Sequence, residues 1–320
     1  MTMTILLWIA VFIISLLALV KASDYFTDSA ERIGLFFGLP PFIVGVTIVA
    51  LGTSLPEMVT SIIAVAKDSS EVVIGNVVGS NIANVFLIFG LTAIVARKMI
   101  IAHDIIKVDL PFMIGSAFLL AATSWDGKFS LPEGLLCLAT MIVYLFYTIS
   151  TEDKHKEAVL GKVLEDEATK QRPIWIAWIV LFVSAAFIYL GASYTIEAII
   201  KLSELLKIGK EIIAVSAVAF GTSLPELAVT MTAARKGKPE IAVGNILGSN
   251  IINALVVMGI PALFGTLIIP ASIITFGIPI MLIATLLFVF ITQDKKIASW
   301  EGWMLLIFYV FFIGKLFNFF

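Results

Sequence analysis

"LGTSLPE" occupies Leu51–Glu57, and "FGTSLPE" occupies Phe220–Glu226. Both stretches lie inside long apolar runs. A proline within a helix removes one N–H donor, and its ring clashes with the preceding turn. Pro56 therefore leaves the Gly52 carbonyl without its donor, and Pro225 does the same to Gly221. The two glycines loosen the backbone further. The stretches predict two helices broken in mid-run, each with open carbonyl oxygens and a carboxylate, Glu57 or Glu226. In hydrocarbon, irregular backbone persists only where it lines a cavity or meets a ligand.

The surroundings are a bilayer. Of the 320 residues, 60% are hydrophobic and 14% charged, with a mean hydropathy of +1.07; a soluble domain carries about 25% charged residues. A net charge of −2 gives no footprint for nucleic acid. The single cysteine, Cys137, has no intrachain disulfide partner and reads as a small buried hydrophobe. No basic residue precedes the run Ile5–Val20, so it reads as a spanning helix and not a cleaved signal.

Ten spans are predicted, at 4–20, 42–66, 72–95, 108–123, 131–150, 173–194, 211–234, 241–264, 272–292 and 300–318. Each approaches the ~20 residues that cross the hydrocarbon, the fourth being short. The unbroken apolar runs lack the alternation of a barrel, so the expected class is an all-α polytopic membrane protein. The polar segment 151–172 separates five spans from five. With the N-terminus outside, 15 Lys and Arg fall in inner loops and 6 in outer ones, together the 21 of the chain. Both termini are thus expected outside, with 151–172 a cytoplasmic linker.

The halves repeat at a constant offset of 169 positions. Gly52–Glu57 becomes Gly221–Glu226, Gly75-Asn76 becomes Gly244-Asn245, and Gly79–Ile82 becomes Gly248–Ile251. Asn84 becomes Asn253, without a gap. The predicted organisation is a first repeat over 1–150, with its motif at 50–84, and a second over 173–320, with its motif at 219–253. Five spans per repeat is an odd number, so the second copy enters from the opposite side. Inverted repeats of this kind mark secondary transporters, whose substrate site lies near the midplane where interrupted helices meet.

Around the breaks sit Thr53, Ser54 and Glu57, with copies Thr222, Ser223 and Glu226. The following spans carry Asn76, Ser80, Asn81 and Asn84, with copies Asn245, Ser249, Asn250 and Asn253. All offer oxygen and none offers sulfur or imidazole, which suits a hard cation such as Ca²⁺ or Na⁺. A buried carboxylate needs a partner, and no Lys or Arg lies near Glu57 or Glu226 within their four segments. Two carboxylates match one divalent ion, several monovalent ions or two protons. Helix packing through small and amide residues is the competing use of "GSNIAN"; the recurrence of glutamate, break and amides in both halves favours an ion site.

These residues resemble the two α-repeats of the cation/Ca²⁺ exchanger superfamily, and among its members the prokaryotic sodium/calcium exchangers. "GTSLPE" followed by "GNVVGSNIAN", and "GTSLPE" followed by "GNILGSNIIN", carry the resemblance across both halves. It implies Na⁺/Ca²⁺ antiport by alternating access, with Ca²⁺ and Na⁺ as transported ions, no cofactor, and a monomer in the cell membrane. Glu57 and Glu226 would be the central Ca²⁺ ligands, shared with Na⁺. Thr53 and Thr222, the carbonyls of Ala50 and Ala219, Ser80 and Ser249 would complete flanking Na⁺ sites, beside Ser54 and Ser223. Asn84 and Asn253 fall where relatives carry amides or an aspartate. Asn253 in place of an aspartate argues against potassium co-transport, and the ~22-residue linker lacks the large sensing insert of animal exchangers. First and sixth spans would slide across the other eight. At ~3 Na⁺ per Ca²⁺ the cycle is electrogenic, and 100 mV, inside negative, adds ~2.3 kcal/mol to Ca²⁺ extrusion. The alternative is a H⁺/Ca²⁺ antiporter using the same glutamates. A channel would not need mirrored halves. An intramembrane enzyme lacks candidates, since the motif-bearing spans hold no Asp, His or Cys; His103 and His155 read as solvated loop residues.

Overall fold

The computed structural model describes residues 2–66, 70–150, 173–205 and 223–317. Helix α1 spans Thr2–Phe36. A broken pair follows, α2 (Pro41–Thr53) and α3 (Leu55–Ala66), bent by 41°. Then come α4 (Glu71–Ala96), α5 (Asp109–Thr123), α6 (Leu131–Ser150), α7 (Ile174–Leu205), α8 (Leu224–Arg235), α9 (Pro239–Ala262), α10 (Ile273–Thr292) and α11 (Ser299–Leu316). Among the described residues seven helices are long and apolar enough to cross a membrane, or eight with the broken pair counted as one span. The predicted fourth span is α5, which falls short of that length. The seventh is described only from Ser223 onward, and the 151–172 linker lies outside the described residues.

Two boundaries differ from expectation. The first helix runs well past the predicted end at 20, and the predicted 173–194 span continues to Leu205. Hydropathy marks only the apolar part of a helix. The polar extension of α1 stays helical because its acids meet bases from another element: Lys236 Nζ lies 2.8 Å from Asp28, and Lys238 lies 2.9 Å from Asp28 and 2.6 Å from Glu31. Lys236 also caps the Asp24 carbonyl at 2.9 Å. Desolvation pulls the Lys238 ammonium down, but its two carboxylate partners outweigh this and hold it above its ordinary value. Lys238→Met should lower the melting temperature by a few degrees, an effect of about 1 kcal/mol or less because Asp28 stays half exposed. Repeating the melt in molar salt should erase most of the difference.

The centre is built from α4 and α9; 94% of the apolar stretch of α9 is buried, against 17% for α1. Helices α1 and α7 pack along each other at the periphery. Helix α2 crosses α9 backbone against backbone. A Cβ on Gly244 would sit 2.5 Å from the Phe42 carbonyl oxygen, one on Gly45 2.6 Å from the Ile241 oxygen, and one on Gly248 would run into the Val46 oxygen. Only glycine permits that approach.

Four short strands, not expected in an all-α reading, close the loops. β1 (Lys98–Ile100) pairs antiparallel with β4 (Lys296–Ala298), and β2 (Lys128–Phe129) with β3 (Leu267–Ile268). Shifting both partners of Lys98↔Ala298 by 169 positions gives Leu267↔Phe129, and shifting Met99↔Ile297 gives Ile268↔Lys128, the observed register of the second ribbon. Beside the first ribbon, Lys107 and Lys295 bind Asp104 and hold its carboxyl below the usual range. His103 is not a solvated loop residue. Its ring stacks on Phe42 at 4.5 Å, and Nε2 lies 3.4 Å from the buried Asp109, because Glu240 accepts the backbone N–H groups of Ala102 and His103 and folds the loop inward.

Candidate cation site

The first half resolves its proline problem by ending one helix and starting another, and in the second half a helix likewise starts just before the proline. Ser54, with φ −85° and ψ 3°, separates α2 from α3, and Ser223, with φ −89° and ψ 1°, precedes α8. Pro56 and Pro225 then stand in the first turn of a new helix, where no N–H is needed. The following residue is the glutamate. Glu57 and Glu226 thus occupy first turns, where unsatisfied N–H groups and the helix dipole favour negative charge. On the central helices the regular hydrogen bonding widens into π-turns at Asn84–Phe89 and Asn253–Val257, beginning at the paired asparagines. Such bulges are frequent at functional sites.

Ten of the predicted residues lie in the described part: Ala50, Thr53, Ser54, Glu57, Ser80, Asn84, Ser223, Glu226, Ser249 and Asn253. All ten are buried. Ala219 and Thr222 lie outside the described residues. The halves meet through polar contacts. Ser54 Oγ donates to Glu226 Oε1 at 3.3 Å, and Thr53 Oγ1 to Asn245 Oδ1 at 3.2 Å. Asn253 Nδ2 donates to Asn81 Oδ1 at 3.1 Å, and Asn81 Nδ2 to the Asn250 carbonyl at 3.2 Å. Asn76 Nδ2 reaches both the Glu57 carbonyl and Ser61 Oγ at 3.4 Å.

The unspent oxygens are the informative ones. Glu226 Oε2, Asn84 Oδ1, Asn253 Oδ1, Ser223 Oγ and Ser249 Oγ are buried with no hydrogen-bond partner among the described residues. Buried polar atoms are nearly always partnered, so each of these five oxygens calls for a donor, a water or a cation. The stretches 41–66, 71–96, 223–234 and 239–262 contain no Lys or Arg to serve. Among the described residues no three His, Cys, Asp or Glu side chains cluster. The donors are carboxylate, hydroxyl and amide oxygen, the ligands of a hard cation.

Sequence reasoning missed Ser61 and Thr230, which hold Asn76 and Asn245. Both hydroxyls stand four residues after a glutamate and 169 positions apart. That i, i+4 spacing on one helix face was the available signal.

A family model described as "Sodium/calcium exchanger protein" matches residues 7–150 and 176–317. The sodium/calcium exchanger MaX1 of Methanosarcina acetivorans is 36% identical, over 96% of this chain and 97% of that protein. The inner membrane protein YrbG of Escherichia coli is 31% identical over 81% of this chain and 80% of its own length. Among solved structures, the sodium-calcium exchanger NCX_Mj soaked with zero Na⁺ and Ca²⁺ superposes with a TM-score of 0.83 at 30% identity, covering 98% of this chain and 99% of that one.

Proposed function

Since this chain belongs to the sodium/calcium exchanger protein family, we propose that it is an antiporter that extrudes Ca²⁺ in exchange for Na⁺ by alternating access. The observation that carries the reading is the set of buried, unspent oxygens contributed by both halves, on described stretches that contain no Lys or Arg. Glu57 and Glu226 supply the two charges. Ala50, Thr53, Ser54 and Ser80 add neutral oxygens from the first half, and Ala219, Thr222, Ser223 and Ser249 from the second. Asn84 and Asn253 add neutral amide oxygens, one from each half. With two carboxylates the site is neutral when it holds one Ca²⁺, and exchanging that for three Na⁺ moves one net charge per cycle.

The halves are read as an inverted repeat of five helices each, ten in all. The shared register of the two ribbons and the equal dihedrals of Ser54 and Ser223 support this. With more Lys and Arg on the inner loops, both termini are outside and residues 151–172 cytoplasmic. Antiport separates from the proton-coupled alternative in proteoliposomes. An outward Na⁺ gradient should drive Ca²⁺ uptake, faster when the membrane potential assists. Uptake driven by a pH gradient alone and indifferent to Na⁺ would sink the sodium reading.

A further inference from the structure

The amides of Asn81 and Asn253 meet where the two halves touch. Asn81 Nδ2 lies 3.2 Å from the Asn250 carbonyl oxygen and 3.9 Å from Met281 Sδ. Asn81 Oδ1 lies 3.1 Å from Asn253 Nδ2. The nitrogen and oxygen of an amide are nearly identical in shape, so its neighbours decide which way it is turned. For Asn81 they decide it without ambiguity, because a backbone carbonyl and a thioether accept hydrogen bonds and cannot donate them. Turned over, Asn81 would set its oxygen against both. Its nitrogen therefore stands on the Asn250 side, and its oxygen is left for Asn253. That oxygen also only accepts, so Asn253 must meet it with its nitrogen. The Asn253 oxygen is then the atom left over, and it is one of the five buried oxygens without a partner among the described residues.

The position of Asn253 gives this meaning. The π-turn that opens at Asn253 packs against α3, whose first turn carries Glu57. The copy of the relay in the other half is not made. At the offset of 169, Asn81 corresponds to Asn250 and Asn253 to Asn84, so the copy would run from Asn250 to Asn84. Instead Asn250 Nδ2 donates to the Ile246 carbonyl of its own helix at 2.7 Å. Neither amide atom of Asn84 has a partner among the described residues. The protein thus fixes the sense of one central amide and not of the other.

Resting on the cation-site reading above, we infer that Asn81 is a positioning residue, which turns the Asn253 amide so that the ion meets its oxygen. An amide nitrogen offered in its place would point positive hydrogens at a cation. The control crosses between the halves: the backbone of α9 orients Asn81 on α4, and Asn81 orients the Asn253 side chain back on α9. Asn81 itself need not touch the ion.

The test is a cycle of Asn81→Leu, Asn253→Ala and the double variant in the full-length chain. Leucine keeps the approximate shape of asparagine and removes both polar atoms. Asn253→Ala removes one neutral ligand and keeps both carboxylates. The readout is thermal stabilisation in detergent, with Ca²⁺ alone as the probe. Asn81→Leu should raise the half-saturating Ca²⁺ about tenfold, the scale of one buried polar group wrongly paired. In the Asn253→Ala background the same substitution should change it by less than about twofold, because no amide remains to turn. A merely structural role for Asn81 would lower the Ca²⁺-free melting temperature alike in both backgrounds. It would also either leave the half-saturating Ca²⁺ unmoved or add in full to Asn253→Ala, and each of those two results overturns the inference. If Asn81→Leu does not fold, Asn81→Ala takes its place in the cycle. A wild-type chain that Ca²⁺ does not stabilise overturns the cation-site reading itself. A wild-type chain that Ca²⁺ stabilises, with additive variants, overturns only the role of Asn81.

Discussion

Glu226→Gln should abolish Na⁺-driven Ca²⁺ uptake, and Glu57→Gln should do the same. Glutamine keeps the size of the side chain and an oxygen for the Ser54 hydroxyl, which donates to Glu226 at 3.3 Å, so the local packing is retained. The charge is lost. In the proposed site one of the two carboxylates is then neutral, in a buried place. Removing one member of a buried ionic contact costs about 3–5 kcal/mol, or a Ca²⁺ affinity lowered about a hundredfold to several thousandfold. Radiolabelled Ca²⁺ uptake into proteoliposomes measures this directly. Transport by either variant within tenfold of wild type would remove the glutamates from the centre of the mechanism.

Gly244→Val should be as severe by a different route. Its Cβ would lie 2.5 Å from the Phe42 carbonyl, a backbone atom that no rotamer change can move aside. Helices α2 and α9 must separate. Overpacking of this kind costs about 1–3 kcal/mol in stability. The larger loss is geometric, since Asn245 and Ser249 ride on α9 and Thr53 ends α2. Parting the helices pulls the Thr53–Asn245 contact open. A lowered melting temperature together with lost Ca²⁺ stabilisation is the expected result; a valine variant that transports normally would show that the close crossing is dispensable.

The candidate site was legible in the sequence to the extent that it is local and repeated. Pro56 and Glu57 announce a break and a charge within a few residues, and their copies 169 positions on make coincidence untenable. The place of the break was less legible. The helix ends at Ser54, two residues before the proline, because proline is accommodated in the first turn of the next helix. Contacts between halves were not legible at all. Nothing in the sequence ties Thr53 to Asn245 or Asn81 to Asn253, which lie more than 170 positions apart. The reach of α1 to Phe36 was hidden for a similar reason, since its acids look like loop residues until Lys236 and Lys238 are brought beside them. The ribbons, two or three residues long, fall below any periodicity a sequence can display.

Those ribbons constrain how the molecule can move. Each joins a loop of the first half to a loop of the second: β1 to β4, and β2 to β3. The halves are therefore stapled together at two separate places. A transporter that worked by rocking one half as a block against the other would have to tear both staples in every cycle. Neither α1 nor α7 carries one. The two halves are thus held to each other by backbone pairing at two places, whereas α1, which carries no ribbon strand, is held to the turn between α8 and α9 by the ion pairs of Lys236 and Lys238.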